Sequence, residues 1–115
     1  MKRVLIVEDE GLIAEHIGLI IEKDHGVEVE IVYKARTAME LLKEKSFDLV
    51  LVDINLESER SGLELAAAIE DNAWGEYMFL TAQTDRRVLE EARKLNPRAY
   101  LVKPFKDVEI SMARS

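Results

Sequence analysis

The chain has 115 residues, 48% hydrophobic and 34% charged, which suits one domain, residues 1–115, around one continuous core. A formal net charge of −7 argues against a basic surface able to track phosphates, so no direct nucleic-acid binding is expected of this domain. The absence of cysteine removes disulfides and thiolate metal sites, and the opening stretch MKRVLIVEDE holds too short an apolar run for a signal-peptide core or a membrane span, so a cytoplasmic location is expected.

Along the chain, short β-branched runs alternate with longer amphipathic segments, the pattern of βαβ units around a parallel sheet. Arg3 to Val7 reads as the first strand, and Ile13, Ile17, Ile20 and Ile21 recur at helical spacing after it. Val27 to Val32 is the second strand, followed by a helix carrying Ala38, Leu41 and Leu42. Leu49 to Val52 is the third strand, and Leu63, Ala66, Ala67 and Ile69 mark the helix after it. Met78 to Thr81 is the fourth, followed by a helix with Val88, Leu89, Ala92 and Leu95 that the stretch NPR ends. Ala99 to Val102 is the fifth strand. The runs VLIV and LVLV lack polar alternation, which fits strands covered on both faces. Right-handed crossovers then predict an α/β, doubly wound five-stranded sheet in the order 2-1-3-4-5. The last segment, with Val108, Ile110 and Met112, gives only a short or truncated fifth helix.

In such a sheet ligands bind beyond the carboxyl ends of the strands, beside the point where strand order reverses. Glu8, Asp9 and Glu10 follow the first strand there, and Asp53 and Asn55 follow the third. The first and third strands are neighbours in the predicted order, so Glu8, Asp9 and Asp53 converge. Acids at such close quarters repel and desolvate one another unless a cation offsets the cost. A donor set of oxygens alone favours Mg²⁺. Thr81 and Lys103 end the fourth and fifth strands at the same edge, adding a hydroxyl and an ammonium. A carboxylate nucleophile, a divalent cation and donors for phosphoryl oxygens are what phosphoryl transfer needs, with Asp53 on the central strand as nucleophile.

The stretches VLIVEDE, DLVLVDINL, FLTA and YLVKPF, in this spacing, resemble the receiver domain of two-component response regulators over essentially the whole chain. That family has a flavodoxin-like fold and accepts a phosphoryl group from a histidine kinase or a histidine phosphotransfer protein. The resemblance implies that Asp53 is the phosphoacceptor. It also implies that Asp9, Asp53 and the backbone carbonyl of Asn55 ligate Mg²⁺, with Glu8 helping through water. Lys103 would pair with the phosphoryl group, Thr81 would move to hydrogen-bond it, and Tyr100 would be the aromatic switch. A cis peptide before Pro104 would aim Lys103 into the site. The face formed by the fourth helix, fifth strand and fifth helix is where the resemblance puts a homodimer or an output domain. Two departures stand out. The loop NLESERSGLEL has Arg60 and Ser61 before Gly62 where relatives often carry a proline and an acid, and the closing helix is short.

Plainer roles compete with these. An isolated acid after a strand is ordinarily a turn residue or cap, but Asp9, Thr81 and Lys103 at matching strand ends set that aside for Asp53. Glu10 reads as a first-turn acid favoured by the helix dipole, and His16 and His25 as solvated. Trp74 packs at the end of the third helix, and RRVLEEARK is a solvated helix face open to an interface. Asn55 and Gln83 flank the expected water approach and would tune hydrolysis of an acyl phosphate. A phosphatase or mutase of the haloacid-dehalogenase type would need D-x-D after the first strand and a cap domain. A flavin protein would need a phosphate loop where EDEG would repel one. A degenerate receiver used only as an interaction module is disfavoured by the complete set of acids, Thr81 and Lys103.

Overall fold

The computed structural model describes residues 2–23, 26–54, 56, 61–82 and 86–103. Strands and helices alternate through them as β1 (Lys2–Val7), α1 (Gly11–Glu22), β2 (Val27–Val32), α2 (Ala35–Glu44), β3 (Leu49–Asp53), α3 (Ser61–Asp71), β4 (Glu76–Ala82), α4 (Arg86–Arg93) and β5 (Ala99–Lys103). The strands form one parallel sheet in the order β2-β1-β3-β4-β5, the order predicted. Val108, Ile110 and Met112, which bear on the fifth helix, and the peptide before Pro104 lie outside the described residues.

Strand ends differ from those read from side-chain polarity, because the backbone ladder does not stop where side chains turn polar. Asp53 pairs with Leu80 and so belongs to β3, and Lys103 pairs with Ala82 and so belongs to β5. β4 begins two residues early because Glu76 and Tyr77 pair with Leu49 and Val50.

Alternation along each strand sends neighbouring side chains to opposite faces and builds two cores. Val4, Ile6, Leu49, Leu51, Met78, Leu80 and Leu101 pack beneath Ala14, Ile17, Ile20 and Ile21 of α1. Leu5, Val7, Val50, Val52, Tyr77 and Phe79 face the other way, under Ala38 and Leu42 of α2, Ala66 and Ile69 of α3, and Ala92 of α4. Trp74 is partly buried against this second core, and its N–H donates to the Ile69 carbonyl at 3.0 Å, closing α3 as anticipated.

At the end of the sheet where the strands begin, polar groups tie the elements together. The Arg3 N–H donates to the Asp48 carboxylate at 2.7 Å, and the Asp48 N–H donates back to the Arg3 carbonyl at 2.8 Å. On the edge strand β2, Glu28 and Glu30 meet Arg3 and Lys45 at 3.5 and 2.8 Å. These exposed pairs add little stability, but charge along an edge discourages strand pairing with another chain.

Tyr77, only 2% exposed, donates its hydroxyl to the Glu70 carboxylate at the end of α3, and the Asn96 N–H donates to the same carboxylate at 2.6 Å. Burial, and then the neighbouring Glu70 carboxylate, push the Tyr77 phenol far above its usual value of 10.0. Its folded-state pKa is therefore raised, so its contribution is fully present below the unfolded pKa and declines as pH rises beyond it. Alkaline melting curves should accordingly show the native protein losing stability from about pH 10 upward, with a shallower decline in Tyr77→Phe. Identical alkaline slopes for the two proteins would refute this assignment.

Candidate functional site

β1 and β3 lie side by side with Val7 opposite Val52, so the next residues, Glu8 and Asp53, emerge together where the strand order reverses. The Glu8 N–H donates to the Val32 carbonyl at 3.2 Å, extending the pairing with β2 one residue past β1 and drawing Glu8 inside. Its side chain is fully buried, and its Oε1 accepts a hydrogen bond from the Glu10 N–H at 3.1 Å. Glu10 takes the N-cap position of α1, one place before the first turn where the sequence put it, and makes no side-chain cap bond. Its carbonyl accepts the Ala14 N–H at 3.0 Å and starts the helix.

Asp53 is 3% exposed, and its surroundings hold its backbone on two sides. The next N–H, that of Ile54, donates to the Leu80 carbonyl of β4 at 2.9 Å. The Leu56 N–H donates to the Asp53 carbonyl at 3.2 Å and closes a turn whose Ile54 and Leu56 side chains are both fully buried. That apolar anchoring is what ends a buried strand with a carboxylate at a fixed point.

Glu8, Asp9 and Asp53 each offer a carboxylate oxygen within 4.8 Å of the others; Asp9 is exposed and the other two are buried. At that spacing each charge pair repels by roughly 3 kcal/mol at an effective dielectric near 20. The set contains only hard oxygen donors, so it fits a hard divalent cation such as Mg²⁺, and no softer metal is called for. Among the described residues this is the one group of acids or histidines so arranged. His16 lies exposed on α1 and is not part of this group, whereas His25 falls outside the described residues.

Thr81, 4% exposed, stands on β4 opposite Val102, and strand alternation puts it on the same face as Phe79. Tyr100 pairs with Phe79, and their ring centroids lie 5.8 Å apart at a 30° tilt. The Tyr100 ring is 41% exposed, and its hydroxyl donates to the Ala92 carbonyl of α4 at 3.2 Å. Partial burial raises the Tyr100 phenol, against a smaller opposing effect of the Arg93 charge. Lys103 closes β5 beside Ala82, but its side chain, like Asn55 and Gln83, lies outside what the structure describes. Thr81 and Tyr100 thus share the α4 side of the sheet, while Glu8 and Asp53 belong by alternation to the α1 side. Phe79, which bridges the rings of Tyr77 and Tyr100, was not singled out from the sequence. Its one signal was a place two residues before Thr81, on the same face of the strand.

The model of the response regulator receiver domain matches residues 4–113. The chain is 32% identical over 114 residues to the response regulator ArlR of Staphylococcus saprophyticus, covering 99% of this chain and 50% of that protein. It is 36% identical over 107 residues to the transcriptional regulatory protein PdtaR of Mycobacterium tuberculosis, covering 90% of this chain and 50% of that protein. The chain therefore spans about half the length of these relatives. Among solved structures, the signal receiver domain of a modulated diguanylate cyclase from Desulfovibrio desulfuricans G20 superposes with a TM-score of 0.89 at 28% identity, over 99% of this chain and 90% of that one. Among the described residues no helix is long and apolar enough to cross a membrane. A match that begins inside β1 and continues past β5 takes in the acid cluster together with the sheet that builds it, and the chain belongs to the receiver domains of two-component response regulators.

Proposed function

We propose that residues 1–115 form one receiver domain that takes a phosphoryl group onto Asp53 from the phosphohistidine of a histidine kinase or histidine phosphotransfer protein. The observation that supports this best is the convergence of Glu8, Asp9 and Asp53 at the reversal of strand order. A carboxylate oxygen of Asp53 attacks the phosphorus, the P–N bond breaks, and the imidazole leaves with its electron pair. An acyl phosphate results. Mg²⁺, held by Asp9 and Asp53 with the Asn55 carbonyl and Glu8 in support, neutralises phosphoryl charge when bound. Lys103 pairs with the phosphoryl oxygens, and the Thr81 hydroxyl donates to one of them. Drawing Thr81 toward the α1 side opens room beside Phe79, into which Tyr100 turns once its bond to Ala92 is released. Asn55 and Gln83 tune the lifetime of the acyl phosphate. The domain catalyses only its own phosphorylation and dephosphorylation.

The readout is binding. The face of α4 and β5, with the segment that follows, takes a second copy or an output domain, and its partner changes when Tyr100 and the Ala92 carbonyl part. The domain itself contacts no nucleic acid and works in the cytoplasm, since the donor kinase needs ATP. Intact-mass spectrometry after incubation with acetyl phosphate tests the core of this reading. The expected result is a gain of one phosphoryl group that requires Mg²⁺, is labile to hydroxylamine, and maps to the peptide containing Asp53. A folded, Mg²⁺-binding protein that gains nothing would instead be an interaction module without the chemistry.

A further inference from the structure

Gly62 is the second residue of α3, buried, at the point where that helix meets the end of β3. A side-chain carbon built there would fall inside the contact radius of the Asp53 carbonyl oxygen and only 2.6 Å from the Ile54 carbonyl oxygen. Both obstacles are backbone atoms, which cannot swing aside as a flexible side chain can. The same Asp53 carbonyl accepts the Leu56 N–H that closes the turn, and Ile54 is tied on its other side to Leu80 of β4. The turn after Asp53 is thus pressed between β4 and the first turn of α3. Glycine is a poor residue for a helix, and its use here follows from this approach.

We propose that Gly62 is a positioning residue for Asp53: the missing side chain lets α3 seat against the Asp53–Leu56 turn and so fixes the Asp53 carboxylate relative to Asp9 and Glu8. The inference rests on the metal-assisted reading above. It assigns Gly62 no contact with the cation or the phosphoryl group. Any side chain there must push the turn away from α3 or α3 away from the turn; the first movement shifts a carboxylate whose partners lie within 4.8 Å, and the second removes the packing that holds the turn in place.

Mg²⁺ titration by calorimetry, at a temperature well below melting, tests this on the unsubstituted chain and on Gly62→Ala. Gly18→Ala serves as reference, because a carbon at Gly18 would meet only ordinary contacts, the nearest being Ile31 Cδ1 at 3.5 Å. The expected result is a Kd for Mg²⁺ raised by about ten-fold or more in Gly62→Ala, as for loss of an outer-sphere support, and unchanged in Gly18→Ala. Equal Mg²⁺ affinity in Gly62→Ala and the unsubstituted chain overturns this inference alone. No Mg²⁺ binding by the unsubstituted chain overturns it together with the reading beneath it. Should Gly62→Ala not fold, the amide resonance of Gly62 in the unsubstituted protein decides. It should shift on Mg²⁺ addition, and a resonance that stays put while those of Asp9 and Asp53 move overturns the coupling.

Discussion

Asp53→Asn is expected to take up no phosphoryl group from acetyl phosphate and, in the presence of a chelator, to melt at a higher temperature than the unsubstituted protein. The first effect follows from chemistry: an amide has no carboxylate oxygen with which to form an acyl phosphate. The second follows from crowding three acids within 4.8 Å, two of them buried. Replacing Asp53 removes repulsion from both neighbours at nearly constant shape. Of the roughly 3 kcal/mol per pair, about 1–2 kcal/mol should survive as net gain after the loss of the carboxylate's own hydrogen bonds. For a chain of this size that corresponds to a rise of about 4–8 °C. Mg²⁺ should reverse the ranking, because it stabilises only a folded state that binds it, and the variant binds it poorly. Thermal melts in chelator and in Mg²⁺ measure both. A variant less stable than its parent in chelator would mean that Asp53 is chiefly structural.

Phe79→Ala should be a severely destabilising core truncation. Phe79 is fully buried on β4, edge-on to Tyr77 at 5.4 Å between centroids and beneath Tyr100 at 5.8 Å. Emptying that position should cost about 3–5 kcal/mol through lost burial and the cavity left behind. The melting temperature should fall by about 12–20 °C. Phe79→Leu keeps most of the volume and should cost less than about 1.5 kcal/mol. The two variants also separate packing from switching. The cavity in Phe79→Ala lies next to Tyr100, so the Tyr100 ring should turn inward without phosphorylation, and its NMR signals should lose the contact with α4. If denaturant unfolding showed Phe79→Ala and Phe79→Leu equally stable, the ring would not be the packing centre described.

Much of this was readable before any coordinates. The five strands announced themselves through unbroken apolar runs such as Leu49 to Val52, and those runs imply a sheet covered on both faces. A doubly wound sheet of five strands then pointed to the order 2-1-3-4-5, and that order brought Glu8, Asp9 and Asp53 together. What stayed hidden depends on backbone placement. Asp53 was read as the residue after β3, because an acid looks like the end of a strand, yet its peptide continues the ladder to Leu80. Glu10 was read one position too far into α1, since no side-chain cap bond marks the boundary. The Glu70 carboxylate shared by Tyr77 and Asn96 joins α3, β4 and the connection before β5, which no local pattern reveals. Gly62 stood in the sequence only as a landmark of the loop NLESERSGLEL, because the carbonyls it must clear, those of Asp53 and Ile54, lie at the end of β3 and just past it.

The reciprocal bonds between Arg3 and Asp48 link segments 45 residues apart at the far end of β1 and β3. In a parallel pair a slip of one residue would turn every side chain of a strand to the opposite face, sending Asp53 toward α2 and α3 and away from Glu8. The distant bonds therefore act as a ruler, and the acids meet because the two strands are aligned from their other ends. A chain cut between β1 and β3 would leave each fragment with an incomplete set of acids and no register to complete it. The site is thus completed all at once, when β3 pairs with β1 in register.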